Sequence, residues 1–125
     1  MQVMNSEWTI TEETTAKKAF DIAYKREISA LIELVRSKAS SLTEIEDMWS
    51  LHDFLSVKRH EVDGRYDFSL PMLIFVFAGL VKDGWLRLDE LEGLNANKIA
   101  KIAALVYMWN VHVKFACEIC DNDYE

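Results

Sequence analysis

Residues 43–63 hold the chain's most varied set of reactive side chains: imidazoles, carboxylates, a guanidinium and an indole. His52 and Asp53 are consecutive and could in principle exchange protons with a substrate. Neighbours on a helix point about 100° apart, so these two groups are not expected to face each other directly. Neither a serine nor a cysteine nucleophile has an evident relation to them. We therefore predict that the chain is not an enzyme and keep catalysis by His52 and Asp53 as the third of three hypotheses.

Metal binding is the next chemistry that these residues suggest. His52 and His60 lie eight residues apart, and Glu61 and Asp63 follow the second histidine. Two metal ligands on one helix need a spacing of three or four residues, as in H-E-x-x-H. We therefore interpret both histidines as surface or hydrogen-bonded residues, and we expect neither a metal nor another cofactor.

The helical wheel of residues 43–63 has two distinct faces next to each other. A narrow apolar stripe is expected to pack against the rest of the fold: Met48, Leu51, Leu55 and Val62. The adjacent face, here called the mixed face, is aromatic and ionic: Trp49, His52, Asp53, Ser56, Arg59, His60 and Asp63. An aromatic next to Arg and a carboxylate is typical of protein-binding hot spots. The wheel alone leaves open the alternative that Trp49 is partly core and the polar residues only surround it.

The sequence around this segment predicts a small all-α domain of four to five helices. The first helix is expected over 12–40, where mostly apolar residues recur at three- and four-residue steps. Thr9 and Glu12 have the spacing of a capping box. A helix of nearly 30 residues reaches about 40 Å, which is longer than a compact domain of this size needs. We therefore expect part of it to pack against another chain.

The second helix is expected to begin at Thr43, with Glu46 completing a capping box, and to stop at Gly64. No segment alternates cleanly with period two over six residues, so no sheet is expected. The remaining elements are a buried helix over 69–82 with a stop at Asp83-Gly84, a helical turn over 89–92, and a last helix from an Asn95 cap to about Phe115. Phe75 and Phe77 lie on different faces of the third helix.

Composition limits the possible functions. The 125 residues are 50% hydrophobic and 28% charged, which suffices for one core, so we expect a single domain over 1–125. Fourteen Lys and Arg against 21 Asp and Glu give a net charge of −7. This balance disfavours a nucleic-acid partner, because phosphate binding needs concentrated positive charge.

Neither membrane insertion nor export is expected. The longest apolar stretch, residues 70–81, is shorter than the roughly 20 residues that cross a bilayer. The first ten residues have neither the basic nor the apolar part of a secretory signal. Cys117 and Cys120 form a single C-x-x-C, which lacks the second pair of a zinc site and the βαβ context of a redox motif. These observations predict a cytoplasmic protein with ordinary thiols.

The segment from Met48 to Tyr66, MWSLHDFLSVKRHEVDGRY, resembles the cyanobacterial fluorescence recovery protein family. The likeness continues through residues 74–78, 82–84, 89–91 and 98–105, and it covers about half of the chain closely. The first helix fits more loosely. Residues 108–125 extend past the C-terminus expected of the family, and the resemblance implies nothing about them.

The resemblance implies an all-helical homodimer that binds the photoactivated, red form of the orange carotenoid protein, chiefly through that protein's C-terminal domain. Members of the family speed the return of the red, quenching form to the orange form and its detachment from the phycobilisome, which restores antenna fluorescence. The resemblance leaves open whether the chain also associates with the thylakoid surface. The positions implied for partner binding are Trp49, His52, Asp53, Arg59, Phe75 and Lys101, and those for the dimer contact are Met48 and Trp49.

Four of these implied positions lie on the mixed face, which favours a binding role for Trp49 over a core role. Asp53 is a candidate to hold Arg59 in place, although six residues exceed the usual helical pairing distance; in a dimer the two could meet across the two-fold axis. The second hypothesis is a generic helical adaptor that binds some protein other than a carotenoid protein.

Overall fold

The computed structural model describes residues 8–123, with side chains through residue 110. Its four α-helices are α1 (Ile10–Ser40), α2 (Ile45–Arg65), α3 (Leu73–Lys82) and α4 (Ala96–Asp123). Two 3-10 segments, Leu70–Met72 and Leu88–Leu91, precede α3 and α4. The described residues contain no strand, and one isolated bridge joins Glu92 and Leu94. The predicted all-α class is confirmed.

The start of α1 is fixed by the predicted capping box. The Glu12 N–H donates to Thr9 Oγ1 and the Thr9 N–H donates to Glu12 Oε1, both at 3.0 Å. Glu12 is buried, and its second oxygen accepts from the Asn95 N–H at 2.6 Å. Because Asn95 in turn caps α4 through the Asn97 N–H at 2.7 Å, one carboxylate ties together the first turns of α1 and α4.

The predicted bounds of α2 were wrong at both ends. Asp47, not Glu46, supplies the capping carboxylate: its Oδ2 accepts from the Thr43 N–H, the Thr43 hydroxyl and the Glu44 N–H, each at 3.1 Å. Helix α2 therefore begins at Ile45. It continues past Gly64 to Arg65, because Gly64 does not adopt the positive φ that would turn the chain.

The two glycines that do adopt positive φ lie where the sequence predicted stops. Gly84 has φ 89° after α3, and Gly93 has φ 116° after the second 3-10 segment. Both values suit a residue without Cβ. Helix α4 extends to Asp123, past the predicted end near Phe115.

The core lies at one end of the molecule, here called the head (residues 8–27 and 65–110). Helices α3 and α4 pack along each other, and the first half of α1 covers them with Ala16, Ala19, Phe20 and Ala23. The largest fully buried side chains all belong to the head: Leu73, Phe77, Leu80, Leu91 and Ile102. Apolar burial on this scale is the main term that stabilises a small domain.

The other end, here called the hairpin (residues 28–64), consists of two helices, the second half of α1 and α2. Helix α2 packs along the second half of α1, with Lys38 Nζ lying 4.6 Å from the Phe54 ring centroid. The prediction that the apolar stripe packs against the fold was right for Val62, which is buried, and for Leu51, which is half-buried beside α1. It was wrong for Met48 and Leu55, which are exposed. These two residues lie about 60–80° around the helix from the side that faces α1.

No single helix within residues 8–123 is long and apolar enough to cross a membrane. Helix α2 and the segment Leu70–Lys82 meet that criterion only when they are taken together, and the chain bends by 105° between them.

Candidate functional site

The mixed face of α2 points away from α1. Leu51, Phe54 and Lys58 lie on the side of the helix that meets α1, and Trp49 lies on the opposite side. The indole is 59% exposed, although Trp is usually among the more buried residues. The alternative in which Trp49 belongs to the core of its own chain is therefore wrong.

The charged groups of the mixed face form two loose pairs. His52 Nδ1 lies 3.5 Å from Asp53 Oδ1, so these consecutive side chains approach each other more closely than the helical wheel predicts. Arg59 Nε lies 3.7 Å from Asp63 Oδ2, so its partner within the chain is one turn away and is not Asp53. Exposed pairs of this kind stabilise a fold by well under about 1 kcal/mol, which leaves the guanidinium available to another protein.

The mixed face does not have the geometry of an enzyme site. The His52 side chain is 76% exposed, whereas an acid or base needs a partly enclosed position that tunes its pKa. The nearby groove between the end of α1 and the start of α2, about 410 Å³, is lined by other residues, including Ser37, Lys38 and Asp47. This arrangement disfavours catalysis by His52 and Asp53.

Exposed apolar side chains continue around the hairpin beside the mixed face. Met48 is 50% exposed and lies next to Trp49 in sequence. The same helix and the second half of α1 expose further large apolar residues: Ile32, Leu34, Ile45, Leu55 and Val57. Single exposed apolar residues are common on protein surfaces, but a group of them on one pair of helices is typical of an interaction surface.

Two of the residues implied by resemblance, Phe75 and Lys101, lie on the head. Phe75 is 50% exposed, whereas Phe77, two residues further along α3, is completely buried, as their different faces predict. Lys101 is exposed on α4 next to buried Ile102. The six implied residues therefore form two regions, four on α2 and two on the head, on either side of the bend that follows α2.

Sequence reasoning missed the polar groups that hold the end of α2 in place. Arg65 lies between two carboxylates: its Nη2 donates to Asp83 Oδ2 at 2.6 Å and its Nη1 to Glu27 Oε1 at 3.3 Å. The Tyr66 hydroxyl donates to the same Glu27 oxygen at 2.7 Å. Burial and this carboxylate raise the pKa of Tyr66 above its usual range. The available signal was Glu27 itself, a carboxylate within the apolar face of the first helix.

A second ion pair holds α1 to the loop before α4. Arg26 donates both Nη groups to Glu90, at 2.7 and 2.6 Å, and also reaches the Trp85 carbonyl at 3.1 Å. The bidentate guanidinium, with the Arg87 N–H, lowers the pKa of Glu90 to about 2. These contacts hold α1 against the segment that connects α3 to α4.

The described part of the chain has no group of three or more His, Cys, Asp or Glu residues placed to hold a metal ion. Cys117 and Cys120 lie outside the residues whose side chains the structure describes. The acidic C-terminal tail lies outside them as well.

Comparison with known proteins gives a consistent result across sequence and structure. Residues 8–106 match the family described as photoprotection regulator fluorescence recovery protein. The fluorescence recovery protein of Synechocystis sp. (strain ATCC 27184 / PCC 6803 / Kazusa) is 46% identical over 105 residues, which is 84% of this chain and 96% of the relative. Residues 107–125 lie beyond the matched family segment.

Two solved structures have the same fold. That of the Fremyella diplosiphon fluorescence recovery protein is 54% identical, with a TM-score of 0.77, covering 78% of this chain and 96% of the other. That of the fluorescence recovery protein from Synechocystis sp PCC 6803 is 47% identical, with a TM-score of 0.78, covering 80% and 98%. The resemblance inferred from residues 48–66 is thereby confirmed.

Proposed function

We propose, since the chain belongs to the fluorescence recovery protein family of photoprotection regulators, that it acts without catalysis of its own on a carotenoid-binding partner. The partner is the red, photoactivated orange carotenoid protein, contacted chiefly on its C-terminal domain. The chain speeds the partner's return to the orange form and its release from the phycobilisome, and antenna fluorescence recovers.

One observation supports this proposal most directly. Trp49 is mostly exposed on the outer side of α2, in the same strip as Arg59, although an indole gains free energy from burial. A half-exposed aromatic beside a weakly paired guanidinium is the composition of a binding hot spot. His52 and Asp53 complete the strip, and Phe75 and Lys101 provide a second contact region on the head.

The proposed active form is a homodimer. The hairpin exposes apolar side chains from both of its helices, Ile32 and Leu34 of α1 among them. A second copy would cover these residues, with Met48 and Trp49 at the contact. A two-fold axis through the hairpin would also bring Asp53 of one protomer within reach of Arg59 of the other, as predicted from their spacing.

The proposed action needs no bond to be made or broken in either protein. An accelerator of a thermal conversion binds the transition state between the red and orange forms more tightly than the red form itself. With contact regions on both hairpin and head, the chain can hold two parts of its opened partner together and raise their effective concentration. Arg59 would pair with a partner carboxylate, and Trp49 would contribute apolar area.

Arg59→Leu tests this proposal. The red-to-orange decay of the partner is followed by absorbance after illumination, with wild-type or variant chain added. Loss of a central charged contact typically costs about 2 kcal/mol, so we expect the acceleration to fall at least about tenfold. Arg36→Leu is the matched control, because Arg36 lies on α1 in an exposed pair with Glu33 at 2.6 Å. An unchanged rate with Arg59→Leu would remove Arg59 from the mechanism.

A binding assay separates this proposal from the adaptor hypothesis. Immobilised chain is offered the carotenoid protein in the dark and under blue-green light. Retention of the illuminated form supports the proposed function. If neither form is retained, the result supports the adaptor hypothesis, in which the chain binds some other protein.

A further inference from the structure

The corner between α2 and the head separates the two proposed contact regions. Between the end of α2 at Arg65 and the helical segment that begins at Leu70, the chain direction changes by 105°. Trp49 and Arg59 lie before this corner, and Phe75 lies after it. Whatever fixes the angle of the corner therefore also fixes where one contact region lies relative to the other.

Aromatic packing holds the inside of the corner. The rings of Tyr66 and Phe68 both meet the buried Phe20 of α1 edge to face, with centroids 5.4 and 5.2 Å apart. The Tyr66 ring also meets Tyr24 at 5.0 Å. Such pairs prefer defined geometries, so these contacts fix the corner residues on α1.

Within residues 8–110, Arg65 supplies the only hydrogen-bonded side-chain link from α2 across the corner to the end of α3. The guanidinium reaches Glu27 on α1 and Asp83 at the end of α3, and the Arg65 side chain is only 27% exposed. Its planar fork offers the two carboxylates separate donors in fixed directions, whereas the donors of an ammonium group lie on one rotating nitrogen. One side chain thus connects the end of α2 with the middle of α1 and with the residue that follows α3.

The rest of α2 has weaker ties within the chain. Val62, one turn before Arg65, is its only buried residue, and further along Phe54 lies between the exposed ends of Lys38 and Lys58. Glu46 lies 19 residues from Arg65, which is about 28 Å along the helix axis. A tilt of about 10° at the corner would move that end by about 5 Å.

We propose that Arg65 is a positioning residue: by bridging Glu27 and Asp83 it sets the angle at which α2 leaves the head, and so the spacing between the mixed face and Phe75. The bridge makes the two contact regions one preorganised surface. This role rests on the proposed function for its consequence, but the angle itself belongs to the free protein.

Distance measurement between spin labels tests the angle without any partner. Labels are placed at Glu46→Cys on the hairpin and Asn97→Cys on the head, both exposed, in full-length chain with Cys117→Ser and Cys120→Ser. Labelled chain is diluted into unlabelled chain so that only distances within one protomer are recorded. We expect a narrow distribution for wild-type Arg65, and a distribution broadened or shifted by several ångströms for Arg65→Met.

Three further variants control the experiment. Tyr66→Phe keeps the ring contacts and removes only the hydroxyl, so it is expected to broaden the distribution less than Arg65→Met. Arg65→Lys keeps the charge but places its donors on one rotating nitrogen, so it is expected to lie between wild type and Arg65→Met. Arg36→Met removes an exposed ion pair on α1 and is expected to match wild type. A wild-type distance distribution for Arg65→Met, or equal broadening by Arg36→Met, would overturn the proposal.

The decay assay then separates positioning from simple loss of fold. A loosened angle should raise the concentration of chain needed for half-maximal acceleration several-fold, while the rate at saturation changes less, because the contact residues are intact. Arg65→Lys should recover part of that loss. If wild-type chain fails to accelerate the decay at all, the proposed function fails, and the distance result still decides the role of Arg65. If fully folded Arg65→Met lowered the rate at saturation by as large a factor as it raised the concentration needed for half-maximal acceleration, that result would contradict a positioning role.

Discussion

Head and hairpin are built from the same kind of amphipathic helix but reach different states of burial. In the head, α1 meets α3 and α4, and apolar residues from three directions are sealed completely, Phe77 and Ile102 among them. In the hairpin, α1 meets α2 alone, and apolar residues such as Met48 and Leu34 stay half exposed. A pair of helices can cover only the sides that face each other, so the hairpin displays what the head buries.

This difference assigns separate tasks to the two regions. The head contains the buried contacts that stabilise the fold. Its two implied binding residues, Phe75 and Lys101, lie on its surface. The hairpin carries the larger aromatic and ionic surface but depends on α1 and on the corner at Arg65 for its position. Substitutions in the head should therefore change stability first, and substitutions in the hairpin should change association first.

The largest effect is expected from Phe77→Ala. Phe77 has no exposed area, so its truncation removes buried apolar area and leaves a cavity, with a loss of about 3–5 kcal/mol in the free energy of unfolding. Phe75→Ala on the same helix, half exposed, should cost less than about 1 kcal/mol. Urea unfolding at one fixed protein concentration measures both. Similar losses for the two variants would contradict the distinction between a sealed and an exposed face.

Met48→Glu should break the hairpin contact while leaving the head intact. A carboxylate placed at the proposed two-fold contact would lose its hydration without a partner, a cost of several kcal/mol that favours monomers. Light scattering coupled to size exclusion gives the mass directly. Ala104→Glu introduces the same charge on an exposed position of α4 and should keep the dimer. A Met48→Glu chain that remains dimeric would place the contact elsewhere.

Acid should weaken the junction in a defined pH window. Arg26 and the Arg87 N–H lower the pKa of Glu90 to about 2 from an ordinary value of 4.5. A carboxyl group with a lowered folded-state pKa contributes stability above its unfolded value, and that contribution is lost as pH falls from about 4.5 towards 2. Glu90→Gln should therefore lose less stability than wild type over this window in thermal unfolding. Glu33→Gln, in an exposed pair with Arg36, should follow wild type.

Glu12 adds to the same acid sensitivity. Burial alone would raise its pKa, but hydrogen bonds from the Thr9 and Asn95 N–H groups and from Lys98 outweigh burial and lower it. The ionised form is therefore the one that stabilises the fold, in the same direction as for Glu90. A wild-type chain whose stability rises between pH 4.5 and 3 would contradict both assignments.

The smallest effect is expected at Gly79. It lies in the interior of α3, and a Cβ there would meet no atom within 4 Å. Gly79→Ala should stabilise the head by roughly 0.5–1 kcal/mol, because glycine loses more backbone entropy in a helix. Gly93→Ala should do the opposite, since Gly93 has φ 116° and a Cβ would come within 3.0 Å of Thr15 Oγ1. Urea unfolding measures the free energy of unfolding of both variants. Destabilisation by Gly79→Ala would contradict the prediction that a methyl group fits there without a cost.

Local chemistry made much of the fold predictable. The Thr9–Glu12 box, the stops at Gly84 and Gly93 and the Asn95 cap depend on residues close in sequence, and the structure has them where expected. The start of α2 was misplaced because two acidic residues, Glu46 and Asp47, were equally suitable by type. Only the actual turn decides which carboxylate reaches back to Thr43.

The candidate site was predicted in part. The wheel isolated the outer face of α2, and Trp49 and Arg59 do lie on it. The Arg59–Asp63 pair has the ordinary four-residue spacing of a helix and was overlooked. The exposure of Met48 and Leu55 could not be predicted from the wheel, because burial depends on neighbours from other helices. Arg65 and Glu27 were missed for the same reason, since 38 residues separate them in sequence.

By itself the sequence determined the helices, several of their ends, the family and the angular order of side chains around each axis, since all of these follow from local spacing and residue type. Only the tertiary structure decided which of those sides is covered. Helix periodicity gives directions about one axis, but the number of helices packed around that axis is set by the path of the chain. The helix packed along α2 is α1, so Met48, Leu55 and the mixed face remain open to a second protein.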